Sequence, residues 1–154
     1  MSEDYENKMI EAFINKDEKT LWYQNAFSKF NINGVDVMRW HWSWWAFGTG
    51  FLFLLYRKQY IPSLVLFILS VSIGVLPFIT IILMILSGGY ATYFIYKGYK
   101  KKKEEIEAKI EDEELRIETM RVVGGYHQWV VWLYIAFTLL TFLGVTLIIF
   151  NNAQ

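Results

Sequence analysis

The strongest constraint on this chain is a sharp alternation of uncharged and densely charged blocks. Residues 60–96 contain no Asp, Glu, Lys or Arg, nor do residues 128–150, whereas residues 100–121 hold seven basic and eight acidic side chains. One small soluble core does not hold runs of that length, so the pattern predicts an all-α, polytopic integral membrane protein. Composition agrees, with 55% hydrophobic, 19% aromatic and 19% charged residues. The formal net charge is zero, which leaves no overall field to attract nucleic acid. The chain has no cysteine, which excludes disulfides, thiolate metal sites, a catalytic thiol and lipoprotein acylation. A signal peptide needs an early apolar run, but residues 1–36 are studded with charge, so the N-terminus is expected to be retained.

Within residues 1–36, Met9, Ile10, Phe13 and Ile14, then Leu21, Trp22, Ala26, Phe27 and Phe30, recur at spacings of three and four. That spacing predicts two short amphipathic helices, the second capped by Asp17 and stopped at Asn33-Gly34. Residues 37–59 follow and include the tryptophan-rich "HWSWWAFGTGFLFLLYRK". The uncharged part, residues 44–55, reaches about 18 Å as a helix, well short of a ~30 Å hydrocarbon core. Residues 60–76 and 78–96 are each long enough to cross, with a tight reversal at residues 74–77, and residues 128–150 make a third span.

Lys97 and the run Lys100, Lys101, Lys102 and Lys103 place the end of the second span in the cytoplasm. A two-span hairpin then returns Arg57 and Lys58 to the same side. Residues 37–59 accordingly enter and leave on one side, as a re-entrant or interfacial aromatic helix. In the rival topology residues 40–56 cross and residues 60–96 form one broken helix, with Arg57 and Lys58 outside; the first is preferred because it keeps every Lys and Arg on one side. Three transmembrane helices result, with a cytoplasmic N-terminus and an outer C-terminus. The divisions are residues 1–36, 37–59, 60–98 (hairpin), 99–124 (charged cytoplasmic helix) and 125–154 (last span and outer tail).

Trp40, Trp42, Trp44, Trp45, Tyr56 and Tyr60 fall at the cytoplasmic interface, where an indole or phenol wets its polar end and buries its ring. Arg57 and Lys58 are read first as cations that reach lipid phosphates and pin the hairpin, and second as a pair recognising a specific anionic headgroup. Lys100, Lys101, Lys102 and Lys103 are an orientation signal and an anionic-lipid contact. In the charged block Ile106, Ile110, Leu115, Ile117 and Met120 make an apolar stripe, with Glu105–Lys109 and Asp112–Arg116 as four-apart pairs. The stripe packs on the N-terminal helices or binds a partner.

Catalytic and cofactor chemistry has little to stand on. Asp36, His41 and Ser43 are triad residue types without a nucleophile elbow around Ser43. His41 and His127 are the only histidines, and bis-histidine ligation has no further ligands in support. The spans lack ionisable groups, which disfavours coupled transport. Ser70–Gly74 and Ser87–Ala91 are four-apart small pairs suited to close helix packing. No cofactor, metal or catalytic residue is assigned.

The stretches "EAFINKDEKTLWYQNAFSKF", "HWSWWAFGTGFLFLLYRKQY", "ATYFIYKGYKKKKEEI" and "GGYHQWVVWLYIAF" together resemble the bacterial membrane-protein family catalogued as domain of unknown function 2628. The family's tryptophan and "YRK" signature falls here on Trp44 or Trp45, Ala46, Phe47, Tyr56, Arg57, Lys58 and Tyr60. His41, Trp42, Ser43 and Thr49 depart from it. The resemblance implies an inner-membrane protein and carries no activity or catalytic residue.

Two roles are consistent with these features. One is an accessory, scaffold or regulatory membrane protein whose cytoplasmic helices engage a protein partner or a second copy. The other is a lipid- or small-solute-binding membrane protein, a passive translocator, using Arg57, Lys58 and the tryptophan-rich segment.

Overall fold

The computed structural model describes residues 3–32, 34–73 and 76–152. Helices α1 (Glu3–Ile14) and α2 (Asp17–Phe30) form the N-terminal hairpin that the apolar spacing predicts. Met9, Ile10, Phe13 and Ile14 of α1 and Ala26, Phe27 and Phe30 of α2 are buried, while Leu21 and Trp22 of the second cluster stay exposed. Asp17 is the first residue of α2 rather than its cap. Lys16 holds the cap position and offers no side-chain acceptor. After α2, the strands β1 (Asn31–Ile32) and β2 (Val35–Asp36) pair antiparallel around Gly34, whose φ of 84° suits the turn. Asn33, part of the expected helix stop, lies outside the described residues.

The tryptophan-rich segment is not one helix. Residues 37–43 are extended, and the helical part is α3 (Trp44–Thr49) and α4 (Phe51–Tyr56), separated at Gly50. Gly50 has φ 55° and ψ −123°, outside helical space, which only glycine adopts without strain. Then come α5 (Tyr60–Ile73), α6 (Pro77–Glu107), α7 (Glu113–Val123) and α8 (Trp129–Asn152).

Helix α6 is the axis on which the rest is laid. Asp36 lies beside Lys97 and Lys100 near its charged end, and the extended segment then runs along it until His41 and Ser43 donate backbone N–H groups to Gly89 and Gly88 carbonyls at 2.9 and 2.8 Å. At 1.5 Å per residue, Lys97 to Gly88 is a descent of about 14 Å. Helices α3 and α4 climb back, with Ser87 Oγ donating to Ala46 O at 3.0 Å and Gln59 packed on Gly98. Entry and exit are thus both at the charged end of α6. The Gly88-Gly89 pair makes the descent possible, since a Cβ on Gly88 would stand 2.9 Å from the Trp42 ring and one on Gly89 would collide with the Trp40 ring.

The charged end of α6 belongs to a helical head with α1, α2 and α7. Tyr99 of α6 packs between Phe13 and Phe27, at ring-centroid distances of 5.3 and 5.4 Å, and Ile106 and Met120 are buried in the same cluster. The single charged helix expected over residues 99–124 is two pieces. Helix α6 runs unbroken from its apolar part to Glu107, and α7 starts afresh at an N-cap, Asp112, whose carboxylate accepts from Leu115 N–H at 2.7 Å. Asp112 therefore caps a helix instead of pairing with Arg116, which donates to Ile110 O at 2.6 Å. Lys109 lies past the end of α6, and Glu105 has Lys101 as its four-apart neighbour at 3.9 Å.

Two helices, α6 and α8, are long and apolar enough to cross a membrane. The third expected span is shorter. Helix α5 has 14 residues and reaches about 21 Å, and the reversal expected after it includes Gly74 and Val75, outside the described residues. Helix α8 leans on the rest of the chain chiefly through α4 and, apart from buried Val130, shows its apolar side chains all round.

Gly89→Leu should therefore cost about 1–3 kcal/mol, as overpacked sites do, because the Trp40 ring and its strand must lift off α6. Gly144→Leu on α8, with nothing within 4 Å of its would-be Cβ, should be neutral. Thermal unfolding in detergent by circular dichroism compares them, and a red shift in tryptophan emission should accompany only the first.

Candidate functional site

The chemistry-bearing side chains gather where the head meets the apolar helices. Helix α4 ends in a Schellman turn: Gln59 N–H returns to Leu54 O at 2.8 Å and Lys58 N–H to Leu55 O at 3.0 Å. The turn puts Lys58 at φ 59°, a left-handed conformation that costs a non-glycine residue about 1 kcal/mol. What offsets that cost is the direction of the two cations. Arg57 is 5% exposed and its Nη1 donates to Ile14 O at 3.1 Å, while its guanidinium lies 4.7 Å from the Tyr23 ring centroid. Lys58 Nζ donates to Gly124 O.

The pair therefore points into the protein, and Arg57 does not reach outward toward a lipid phosphate. The reason is the C-terminus of α1, whose last carbonyls lack intrahelical partners and attract a cation. Arg57 takes Ile14 O and Gly125 N–H takes Phe13 O at 2.7 Å. A Cβ on Gly124 would stand 2.6 Å from Phe13 O, so only glycine lets the turn approach this closely. Burial raises the Tyr23 hydroxyl above its ordinary pKa despite the opposing charge of Arg57, and the phenol stays neutral.

A second polar knot holds the β-hairpin to α6. Asp36 accepts from Tyr96 at 2.7 Å, Lys100 at 2.8 Å and Lys97 at 3.0 Å. Burial alone raises the Asp36 carboxyl, but hydrogen bonds from Lys100, Tyr96 and Lys97 outweigh it and hold the group well below the ordinary carboxylate range. The lysine run is likewise engaged. Lys103 pairs with Glu6 and lies 3.9 Å from Glu107, Lys102 donates to Val123 O at 2.6 Å, and Lys101 stays largely exposed.

The triad residue types do not assemble, because Asp36 is held by α6 while Ser43 Oγ caps α3, accepting from Ala46 N–H at 3.3 Å. His41 packs edge-on against Trp22 and Phe30, and its Nδ1 is buried without a hydrogen-bond partner. His127 instead meets the Tyr60 hydroxyl through Nε2 at 2.6 Å, so the two histidines have separate neighbours. Among the described residues no group of three or more His, Cys, Asp or Glu is placed to hold a metal ion. Trp40, Trp44, Trp45 and Tyr60 are exposed, and Trp42 and Tyr56 are half-buried under Trp40 and Tyr126 respectively.

Between α5, α6 and the hairpin lies a cleft of about 520 Å³. Its apolar end is Pro62 and Phe94, and its polar end carries Lys97, Lys100 and Lys101 against Asp36 and Glu104. Lys97 and Gln59 went unremarked as site residues in the sequence; the signal available was the i, i+3, i+4, i+7 spacing of Phe94, Lys97, Gly98 and Lys101, which sets all four on one face of α6.

A family model described as "Protein of unknown function (DUF2628)" matches residues 11–100, more than half of the chain. The chain belongs to that family. The matched stretch contains Asp36, the descending segment, Arg57, Lys58, Lys97 and Lys100, while α7 and α8 lie beyond it. No curated protein and no solved structure matches the chain.

Arg57→Ala should destabilise the head by about 2–3 kcal/mol, the usual loss for a buried charge-assisted hydrogen bond, and speed tryptic cleavage at Lys16 and Lys19. Arg57→Lys should recover only part, since an ammonium cannot both stack on Tyr23 and reach Ile14 O. Asp36, with a lowered folded pKa, contributes stability that is fully present above its unfolded value near about 4 and is lost as pH falls through the folded value. Asp36→Asn should thus cost about 1–3 kcal/mol at pH 7, and the gap to wild type should narrow on acidification below about pH 4. Melting curves across pH read this directly.

Proposed function

We propose that this chain is an integral membrane protein that holds a rigid helical head against the cytoplasmic face of a bacterial inner membrane, as an accessory or scaffold subunit for a larger partner. The clamp at Arg57 and Lys58 carries the reading. Both cations leave the turn between α4 and α5 and bind head carbonyls, Ile14 O and Gly124 O, so the head and the apolar helices move as one body. A scaffold needs such coupling. A translocator lid would have to break it at each cycle.

The apolar surface supports the membrane part. Helix α8 exposes large side chains all round, among them Phe137, Leu140 and Phe142 at 67–71%. In water such surface costs roughly 25 cal/mol per Å², whereas lipid accepts it. The path of residues 37–59, descending along α6 and returning to its charged end, is a re-entrant excursion whose entry arm is extended rather than helical. Its backbone groups bond to Gly88 and Gly89 and to Ser63, as non-helical chain at membrane depth requires. The lysines at the charged end of α6 orient that end to the cytoplasm, and α8 then carries the C-terminus outside. In α7, Met120 and in part Ile117 pack inside the head while Leu115 stays 49% exposed; the outer face of α2, with Leu21 78% exposed and Trp22 beside it, is the surface this reading assigns to a partner.

Two positions in this cysteine-free chain test the topology. Lys19→Cys should react with an impermeant maleimide only after lysis, and Asn151→Cys should react in intact cells; the reverse pattern sinks the orientation. A photo-crosslinking residue at Leu21 should yield one discrete protein adduct in native membranes, weakened by Arg57→Ala. Absence of any adduct at Leu21 and at Trp22 would overturn the scaffold role.

A further inference from the structure

The cleft between α5, α6 and the β-hairpin has an amphipathic lining that the clamp and the head do not use. Its cationic rim stands on α6, where Lys97, Lys100 and Lys101 face Asp36 and Glu104. Among the residues that line the cleft, three ammonium groups stand against two carboxylates, while Glu105, the neighbour of Lys101, lies outside the lining. Asp36 already binds Lys97 and Lys100, whereas Lys101 has only Glu105 at 3.9 Å and a side chain 77% exposed. The rim thus holds one exposed, loosely paired ammonium, Lys101, beside Lys97, which suits a singly charged group such as a phosphodiester.

The other end of the cleft decides the source of that charge. Pro62 and Phe94 line it, and Val65 and Leu69, three and seven residues beyond Pro62 on the same face of α5, are 52% and 39% exposed. A free phosphate has no use for that apolar strip; an acyl chain does. Gly98 and Gln59 shape the wall between the ends. The Gln59 side chain lies over the bare Gly98 backbone, where any Cβ would collide with it, and its Nε2 is held by Arg57 O at 3.2 Å.

We propose that this cleft is a binding site for one anionic phospholipid, its phosphodiester held by Lys97 and Lys101 and its glycerol and acyl end lying on Phe94, Pro62 and the exposed strip of α5. The site rests on the membrane reading above for access to lipid and is independent of the scaffold role and of any protein partner. It also assigns the cationic contact to Lys97 and Lys101 instead of Arg57 and Lys58, which the head occupies.

The test uses the full chain, reconstituted in nanodiscs of phosphatidylcholine with a minor share of phosphatidylglycerol and released for native mass spectrometry. Co-flotation of the chain with vesicles is scored separately, so that a failure of the membrane reading shows there and not in lipid retention. Wild type should keep a single phosphatidylglycerol in preference to phosphatidylcholine. Lys101→Gln, at an exposed side chain outside the Asp36 knot, should cut retention about fivefold, the usual effect of one lysine near an anionic headgroup, and Lys97→Gln with it should cut it further. Lys109→Gln removes the same charge beyond the end of α6 and should leave retention unchanged. Phe94→Asp, which charges the apolar end, should abolish it. A graded ladder of lipid adducts on wild type, an equal loss in Lys109→Gln, or displacement of the lipid by millimolar inorganic phosphate would each overturn the proposal.

Discussion

Everything in this structure hangs on the C-terminal end of α1. A helix end leaves carbonyls without partners and carries partial negative charge, and in a buried setting both must be met. Here they are met from two distant points of the chain, by Arg57 from the turn after α4 and by Gly125 from the turn after α7. One helix terminus thereby ties the N-terminal hairpin, the tryptophan-rich segment and the start of α8 into a single junction. The glycine pair at 124–125 and the left-handed Lys58 are local costs of that convergence, each placed where backbone must approach backbone.

The second organising element is α6, which is two materials in one helix. Its apolar part is exposed as far as Leu86 and largely covered from Ser87 on, its last part is charged and built into the head, and the change of polarity falls between Tyr96 and Lys97. A continuous helix transmits position along its length, so whatever fixes the head also fixes the apolar part. The Asp36 knot sits at the change of material and anchors the point from which the extended segment descends. The amphipathic cleft lies at the same level.

The accessory reading and the proposed lipid site draw on different features of this junction, and share only the membrane reading. Rigid coupling through Arg57 and Lys58 suits a protein that presents a surface. A cleft with one exposed, loosely paired ammonium suits a protein that is itself stabilised or tuned by the membrane around it. The DUF2628 match, from late α1 to Lys100, takes in Ile14, Arg57, Lys58 and Lys97 and stops short of Lys101 and Gly124.

Much of the local structure was legible in the chain. The three- and four-residue recurrence in residues 9–30 marked α1 and α2, and the long uncharged runs marked α6 and α8, because burial and lipid solvation act on side chains that sequence lists directly. The extended course of residues 37–43 was not legible, since tryptophan-rich sequence does not reveal that Gly88 and Gly89 leave a groove for it. The merging of the hairpin span and the charged block into one α6 was also hidden, because no helix stop separates Tyr96 from Lys97 and a change of polarity is not a change of backbone. Arg57 was misread for a physical reason. A cation beside an apolar run is placed at a phosphate by default, and only the folded chain brings the end of α1 within 3.1 Å of it. Sequence by itself determined which segments are apolar and most of the helices, α1, α2, α5, α6 and α8 among them, as these depend on near neighbours. Only tertiary structure decided where each charge goes, because the partners of Asp36, Arg57 and Lys58 lie far along the chain and are brought together by packing alone.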